Sequence, residues 1–270
     1  MTPDVRQFLE ESLADVPPEP AVALSGGIDS TSVLFALQEL GKSPRAYTFH
    51  IEGHESTDLR VARDVCRTFD VPFTPVALPT DLQTIKQDTY SIIEGLGYTS
   101  KTDIECIWPF LYLLPEIGET TLATGACADG HFVISREAML NGKHETVERM
   151  DKFRADLFGD PDYAQIRMVE QLAGQYGIDD VRVPFFERPF VKAFMGTAWD
   201  EINKPKQKQP IIDAYPDRFA KMKVRSHTNL QCGDSKIQNQ FEKLVDSTWN
   251  VGDWKSPVGI YNAIDRGEVP

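Results

Sequence analysis

A short apolar run leads directly into a glycine-rich turn and then into a helix near the start of the chain. Ala21 to Leu24 predicts a buried strand, because it is a short apolar segment followed at once by turn residues. From Ser30 to Leu40 apolar residues recur at helical spacing, and Gly41 is typical of the residue after a helix. The turn between them reads Ser25-Gly26-Gly27-Ile28-Asp29-Ser30. A strand joined to a helix in this way is the unit from which parallel sheets are built.

This turn has the features of a loop that binds phosphate. Gly26 and Gly27 let backbone N–H groups approach an anion, and the start of the next helix adds unpaired N–H groups and a positive dipole end. Ser25 and Ser30 add hydroxyl donors. Asp29 would repel phosphate, so its presence indicates a bridging Mg²⁺ that takes carboxylate and phosphate oxygens together. The alternative is a plain glycine turn in which Asp29 or Ser30 caps the helix.

The pattern of strand and helix then repeats. Arg45 to Ile51, Phe73 to Leu78 and Thr120 to Thr124 predict further strands, with helical patterns between them. Alternating strands and helices predict an α/β fold with a doubly wound parallel sheet, since parallel strands need crossovers. One helix is expected from Ile104 to Leu114. Strand signals stop beyond Asn141, so the fold is expected to end in a mostly helical C-terminal extension.

Three segments follow from this pattern. Residues 1–20 are expected to form a leading helix and linker, residues 21–140 the α/β core with the phosphate-binding turn, and residues 141–270 a helical region that completes the site. The region from Glu145 to Gly177 predicts two helices separated by a break at Gly159.

Composition excludes several classes of protein. The net charge of -13 disfavours broad, nonspecific binding to nucleic acid, so no nucleic-acid partner is expected. The one basic cluster runs from Lys204 to Lys208 and on to Arg225. The most apolar run is far shorter than a membrane span, so we expect no membrane association and a cytoplasmic location. The four cysteines are too scattered for a zinc site: Cys66, Cys106, Cys127 and Cys232.

The residues Ser25 to Ser30 resemble the PP-loop of N-type ATP pyrophosphatases, which have a HUP-like fold. The glycine spacing differs from that of Walker loops and dinucleotide fingerprints. The resemblance implies that ATP, with Mg²⁺, is cleaved between its α and β phosphates. The products would be a substrate adenylate and pyrophosphate.

Three further segments resemble the synthetase domain of asparagine synthetase and β-lactam synthetase-like enzymes. Thr124 to Gly130 is similar to that family's Ser-Gly-Glu-Gly-x-Asp-Glu, and Val181 to Glu187 is similar to its Arg-Val-Pro-Phe-Leu-Asp. The stretch from Lys208 to Lys223 is similar to its lysine-containing C-terminal region. The order and approximate spacing agree from Ala21 to Ser226.

The resemblance implies roles for particular residues at the nucleotide. Leu24, Phe49 and Gly125 would contact adenine through their backbones. Asp29 and Asp129 would hold the Mg²⁺ of the pyrophosphate, and they would face one crevice at the carboxyl ends of neighbouring strands. The alternative for Asp129 is a helix cap.

Lys208 or Lys223 would stabilise charge on the adenylated carbonyl or on the leaving pyrophosphate. The alternative for each is a solvated surface lysine, and the sequence does not choose between the two. Arg182 is expected to make a structural ion pair, Cys127 to be a small buried residue, and His131 to have no role in catalysis. The substrate pocket would be lined by the region after Asp129 and by Arg182 to Phe190.

Two departures from the family pattern limit the function. Ala126 stands where asparagine synthetases have a Glu that handles the aspartyl substrate and the incoming nitrogen, so asparagine is a doubtful product. Residue 2 is Thr2, whereas glutamine-dependent members have a cysteine there that begins a glutaminase domain. The nitrogen is therefore expected from ammonia, from an amine, or from a separate glutaminase or amine-donor subunit.

Together these features predict an ATP-dependent ligase that adenylates a small-molecule carboxylate and passes the acyl group to ammonia or an amine. One alternative is a PP-loop enzyme that modifies a nucleobase or tRNA. Another is a non-catalytic nucleotide-binding subunit, because Ala126 and Gly130 replace two acidic positions of the family.

Overall fold

The computed structural model describes residues 3–160, 163–223, 234–249 and 257–268. Arg225 and Cys232 lie outside these residues. The strands are β1 (Ala21–Ala23), β2 (Arg45–Ile51), β3 (Phe73–Leu78), β4 (Thr121–Thr124) and β5 (Asp180–Arg182). They form one parallel sheet in the order β3-β2-β1-β4-β5. The predicted doubly wound α/β fold is confirmed.

Helices precede, separate and follow the strands. Those before β4 are α1 (Val5–Leu13), α2 (Ile28–Glu39), α3 (Thr57–Thr68), α4 (Leu82–Leu96), α5 (Lys101–Ile107) and α6 (Phe110–Leu113). Those between β4 and β5 are α7 (Ala128–Phe132), α8 (Arg136–Leu140), α9 (Val147–Phe158) and α10 (Ala164–Ala173). Those after β5 are α11 (Arg188–Phe194), α12 (Trp199–Asn203), α13 (Gln209–Ala214), α14 (Pro216–Phe219), α15 (Ile237–Leu244) and α16 (Pro257–Asp265). Within the described residues, no helix is both long and apolar enough to span a bilayer.

Two expectations about these elements are wrong. Strands do not stop at Asn141, because β5 pairs with β4 in parallel. Its three residues carry Asp180 and Arg182 at their ends, so no apolar run marks the strand. The single helix expected from Ile104 to Leu114 is divided into α5 and α6. Pro109 lies at this division, where its missing N–H cannot extend the hydrogen-bond ladder of α5.

The sheet separates two hydrophobic cores. Successive residues of a strand point to opposite faces, so Val22 and Ala123 pack with α1, α2 and α3 on one face. Ala21 and Leu122 pack on the other face with α4, α5, α10, α15 and α16. Both faces are thereby covered, and the carboxyl ends of β1 and β4 lie side by side at one edge of the sheet.

A buried arginine fixes the position of α7, the short helix that follows β4. The Arg154 side chain of α9 is fully buried, and its Nε and Nη2 atoms donate to the carbonyl oxygen of His131 at 3.0 and 2.8 Å. Nη1 donates to Asp151 at 2.9 Å, and Nη2 reaches Thr197 Oγ1 at 3.2 Å. The ring of His131 stacks on that of Phe158 with centroids 4.2 Å apart. These contacts tie α7 to α9.

The substitution Arg154→Ala is expected to lower the free energy of unfolding by about 3 kcal/mol, because it leaves buried acceptors without donors. The matched control on the same helix is Lys152→Ala, which removes an exposed ion pair to Asp156 and is expected to cost less than about 1 kcal/mol. Urea unfolding of both variants measures the difference. Equal losses would contradict the role given to Arg154.

Candidate active site

The glycine-rich loop is folded onto the first turn of α2. The Ser25 N–H donates to Ser30 Oγ at 3.1 Å, and the Gly27 N–H donates to Ser25 Oγ at 3.2 Å. Gly27 is the N-cap residue of α2, so Asp29 and Ser30 lie inside the helix rather than at its cap. The capping alternative is therefore wrong. The first N–H groups of α2 have no side-chain cap and suit an anion.

Two glycines permit close contacts around this loop. Gly26 has a φ of +72°, and a Cβ atom there would lie 2.7 Å from Val61 Cγ1 and 2.8 Å from the backbone nitrogen of Ala62. A Cβ atom on Gly125 would lie only 2.5 Å from the backbone nitrogen of Ser30. The end of β4 therefore packs directly on the start of α2, which brings the segment after β4 next to Asp29.

Lys208 connects these two segments from the C-terminal part of the chain. Its side chain is 3% exposed, and its Nζ atom hydrogen-bonds Asp29 and lies 2.5 Å from Asp129 Oδ1. Burial acts to lower the pKa of Lys208, but the charges and hydrogen bonds of Asp129 and Asp29 outweigh it and raise the pKa above its usual value. The ammonium group is therefore charged at neutral pH.

The backbone around Lys208 is held in place as well. Lys208 has a left-handed conformation with φ of +60° and precedes α13. Its N–H donates to Asn203 Oδ1 at 3.2 Å, and Asn203 Nδ2 donates to the carbonyl oxygen of Phe132 at 3.0 Å. Asn203 thus links the lysine to the end of α7. Nothing in the sequence marks Asn203 as part of the site, since one Asn in a helix belongs to no motif.

The two aspartates suit a metal that arrives with a nucleotide. Carboxylate oxygens are the ligands that Mg²⁺ prefers, and Mg²⁺ is usually bound through one or two carboxylates plus substrate phosphates. Among the described residues no cluster of three or more His, Cys, Asp or Glu side chains could hold a metal by itself. Asp29 and Asp129 therefore fit a phosphate-bound Mg²⁺, whose charge would assist departure of the pyrophosphate.

A cavity of about 850 Å³ opens beside the loop. Its lining includes these residues expected at the nucleotide: Leu24, Ser25, Asp29, Ser30, Phe49, Gly125 and Asp129. Gly26 and Gly27 belong to the loop without lining the cavity. Lys223 is exposed, and it lies outside the lining directly before residues 224–233. Lys208 is not part of the lining either, but of the two candidate lysines it is the one in contact with the aspartates.

Other parts of the lining carried no signal in the sequence. Thr102 and Cys106 of α5 and Phe110 of α6 contribute to one wall. The predicted lining of the substrate pocket is confirmed in part. Residues after Asp129 do line the cavity. Of the segment from Arg182 to Phe190, only Val183 does. These walls depend on how the helices pack over the sheet, which local spacing does not encode.

The positions that depart from the family pattern have distinct surroundings. Ala126 is exposed at the cavity. A Cβ atom on Gly130 would lie 2.4 Å from Leu157 Cδ2, so α7 packs on α9 at this glycine. A larger side chain at position 130 would require the side chains of Leu157 and Phe158 to move. Gly130 thus suits the close packing of the two helices.

Arg182 and His131 have structural surroundings, whereas Cys127, which was expected to be buried, is half-buried and lines the cavity. Arg182 pairs with Asp180 at 2.6 Å and with Asp15 at 2.9 Å, as expected. Burial lowers the pKa of His131 to about 3, so its ring is neutral at physiological pH. Burial, with a contribution from the charge of Asp129, raises the pKa of the half-buried Cys127 thiol to about 12.

Comparison with known proteins agrees with this geometry. Residues 4–133 match the family model for asparagine synthase. The tRNA-specific 2-thiouridylase MnmA of Magnetococcus marinus is 31% identical over 137 residues, which are 45% of this chain. The chain spans only 37% of the length of that relative. Residues 4–133, which include the glycine-rich loop and strands β1 to β4, thus carry the likeness to asparagine synthase.

Proposed function

We propose that this protein is an AMP-forming carbon–nitrogen ligase, which adenylates a carboxylate with ATP and transfers the acyl group to ammonia or an amine. The observation that carries the proposal is the Lys208 ammonium between Asp29 and Asp129, at the junction of the PP-loop and a cavity of about 850 Å³. The cavity is large enough for small molecules, whose sites occupy roughly 300–1,000 Å³.

The first reaction joins the carboxylate to the α-phosphorus of ATP. A carboxylate oxygen attacks that atom, and the bond from it to the oxygen shared with the β-phosphorus breaks, so pyrophosphate leaves with the electron pair. Backbone N–H groups along the first turn of α2 bind the phosphates. Lys208 offsets the charge that develops on the leaving group. A buried ammonium with fixed partners is suited to this task because it needs little reorganisation.

The second reaction forms the amide. An amine nitrogen attacks the carbonyl carbon of the adenylate, a proton leaves the nitrogen, and AMP departs. Ala126 supplies no carboxylate to the nitrogen nucleophile, so we do not propose asparagine as the product. Ammonia, an amine substrate or a separate glutaminase or amine-donor subunit is the proposed nitrogen source, and the cytoplasm is the proposed location.

A second candidate function is modification of a nucleobase, because the related MnmA is named as a tRNA 2-thiouridylase. Two observations favour the ligase. The Cys127 thiol has a pKa of about 12, so very little of it is the reactive thiolate at neutral pH. The net charge of -13 opposes binding to a polyanion. A salt-sensitive gel shift with tRNA would support the modification candidate instead.

Identification of the products tests the proposal directly. With ATP, Mg²⁺, an accepted acid and an accepted amine or ammonia, the protein is expected to release AMP and pyrophosphate in equal amounts, because the PP-loop class cleaves between the α and β phosphates. Chromatography of the nucleotide and a coupled pyrophosphate assay measure this. Release of ADP with phosphate would contradict the proposal. Binding of ATP without turnover of any acid or base would favour the non-catalytic subunit.

Substitution of the buried lysine tests its role. Lys208→Met is expected to lower the rate of ATP–pyrophosphate exchange by about 10²–10³-fold, the usual cost of removing one preorganised charge-stabilising group. Two lysine controls accompany it: Lys204→Met, which removes an exposed pair to Asp200, and Lys223→Met, which changes an exposed side chain. Both controls are expected to keep near wild-type rates. A loss confined to Lys223→Met would move the catalytic role to that residue.

A further inference from the structure

One part of the cavity lining is made of apolar side chains. We call it the β5-side wall, and it consists of Phe153, Leu157, Ile166, Val169, Val181 and Val183. These side chains come from α9, from α10 and from β5 with the residue next to it. The helix α10 contacts both α5 and β5, so the wall is part of the packed layer over the sheet. It is built entirely by residues after Asn141.

We infer that the carboxylic acid used by this protein has an uncharged, mainly apolar body that packs against the β5-side wall. The inference rests on the proposed function, since it describes the acid that would be adenylated. A hydrocarbon group gains free energy when it leaves water for such a surface. A second charged group would lose its hydration against side chains that cannot pair with it.

The charged side chains of the described lining come from α2, α3 and α7, and not from the segments that form this wall. They are Asp29, Asp58 and Asp129. Asp29 and Asp129 share Lys208, and Asp58 lies on α3, which contacts β2 and β3 rather than β5. The positive charge of Lys208 is thus taken up by carboxylates beside the PP-loop. A carboxylate in the body of the substrate would meet the β5-side wall and not this cation.

The polar groups near the wall are neutral. Tyr163 and Gln165 line the same part of the cavity, and the Gln165 side-chain amide donates to Asp103 Oδ1 at 3.3 Å. Ala126 presents a methyl group at the opening, which cannot form an ion pair with a substrate ammonium. An acid of aspartate type, with charges at both ends, matches this surface poorly. A branched or linear aliphatic acid matches it well.

The test compares acids of equal size on the full-length protein. Binding of 4-methylpentanoate and of succinate, which replaces the isopropyl group by a second carboxylate, is measured by calorimetry with a non-hydrolysable ATP analogue and Mg²⁺ present. Succinate is expected to bind at least about a hundredfold more weakly, because of its unpaired charge. In the series from propanoate to hexanoate, affinity is expected to rise about fourfold for each methylene buried.

Two variants locate the effect at the wall. Ile166→Ala is expected to weaken 4-methylpentanoate binding about tenfold and to leave the affinity for the ATP analogue unchanged. The control is Ile178→Ala, which makes the same truncation at another buried isoleucine that lies outside the cavity lining. That variant is expected to keep the wild-type preference among the acids.

The outcomes separate this inference from the proposed function. Preferential binding of 4-methylpentanoate supports the inference even if pyrophosphate exchange, assayed in parallel, is absent and the ligase proposal fails. Tighter binding of succinate or aspartate overturns the inference, whether or not either acid is adenylated. Failure of every acid to bind also overturns it, and so does an equal loss in the Ile166→Ala and Ile178→Ala variants.

Discussion

The ion pairs of Lys208 with Asp29 and Asp129 are the constraint on which the site depends. Two carboxylates at the ends of neighbouring strands repel each other, and a buried ammonium is costly without partners. Each group therefore requires the other two. The arrangement also requires that the segment before α13 reach across the sheet edge, which Asn203 secures by binding both Lys208 and the end of α7. The pairing of these three charges therefore depends on the position of the segment before α13.

Much of this could be predicted from the sequence where local chemistry was distinctive. The apolar strands, the glycine-rich loop and the helical spacing after Ser30 each follow from short-range patterns, and the structure confirms the α/β fold. The resemblance to asparagine synthetase implies Asp29 and Asp129 as a pair, and both follow predicted strands. Their proximity is what parallel neighbouring strands require, since their carboxyl ends lie at the same edge.

Other features could not be predicted because they depend on tertiary packing. The strand β5 is three residues long with charged ends, so it has no apolar signature. Lys208 and Lys223 are the same residue type, and only the fold buries the first and exposes the second. Gly130 stands at a position that is acidic in the family, and only the fold shows that it packs closely on Leu157. The walls of the cavity belong to the same class of long-range features.

The strand β5 ties the phosphate-binding half of the chain to its C-terminal half. It covers the outer edge of β4, and an uncovered edge of this kind is a template for pairing between molecules. A fragment cut after residue 140 would expose that edge and would also lose the cation that the two aspartates share. Such a fragment would retain every residue of the PP-loop, yet it would tend to aggregate. The nucleotide motif and the later helices must therefore be transplanted as a unit if the fold is used as a scaffold.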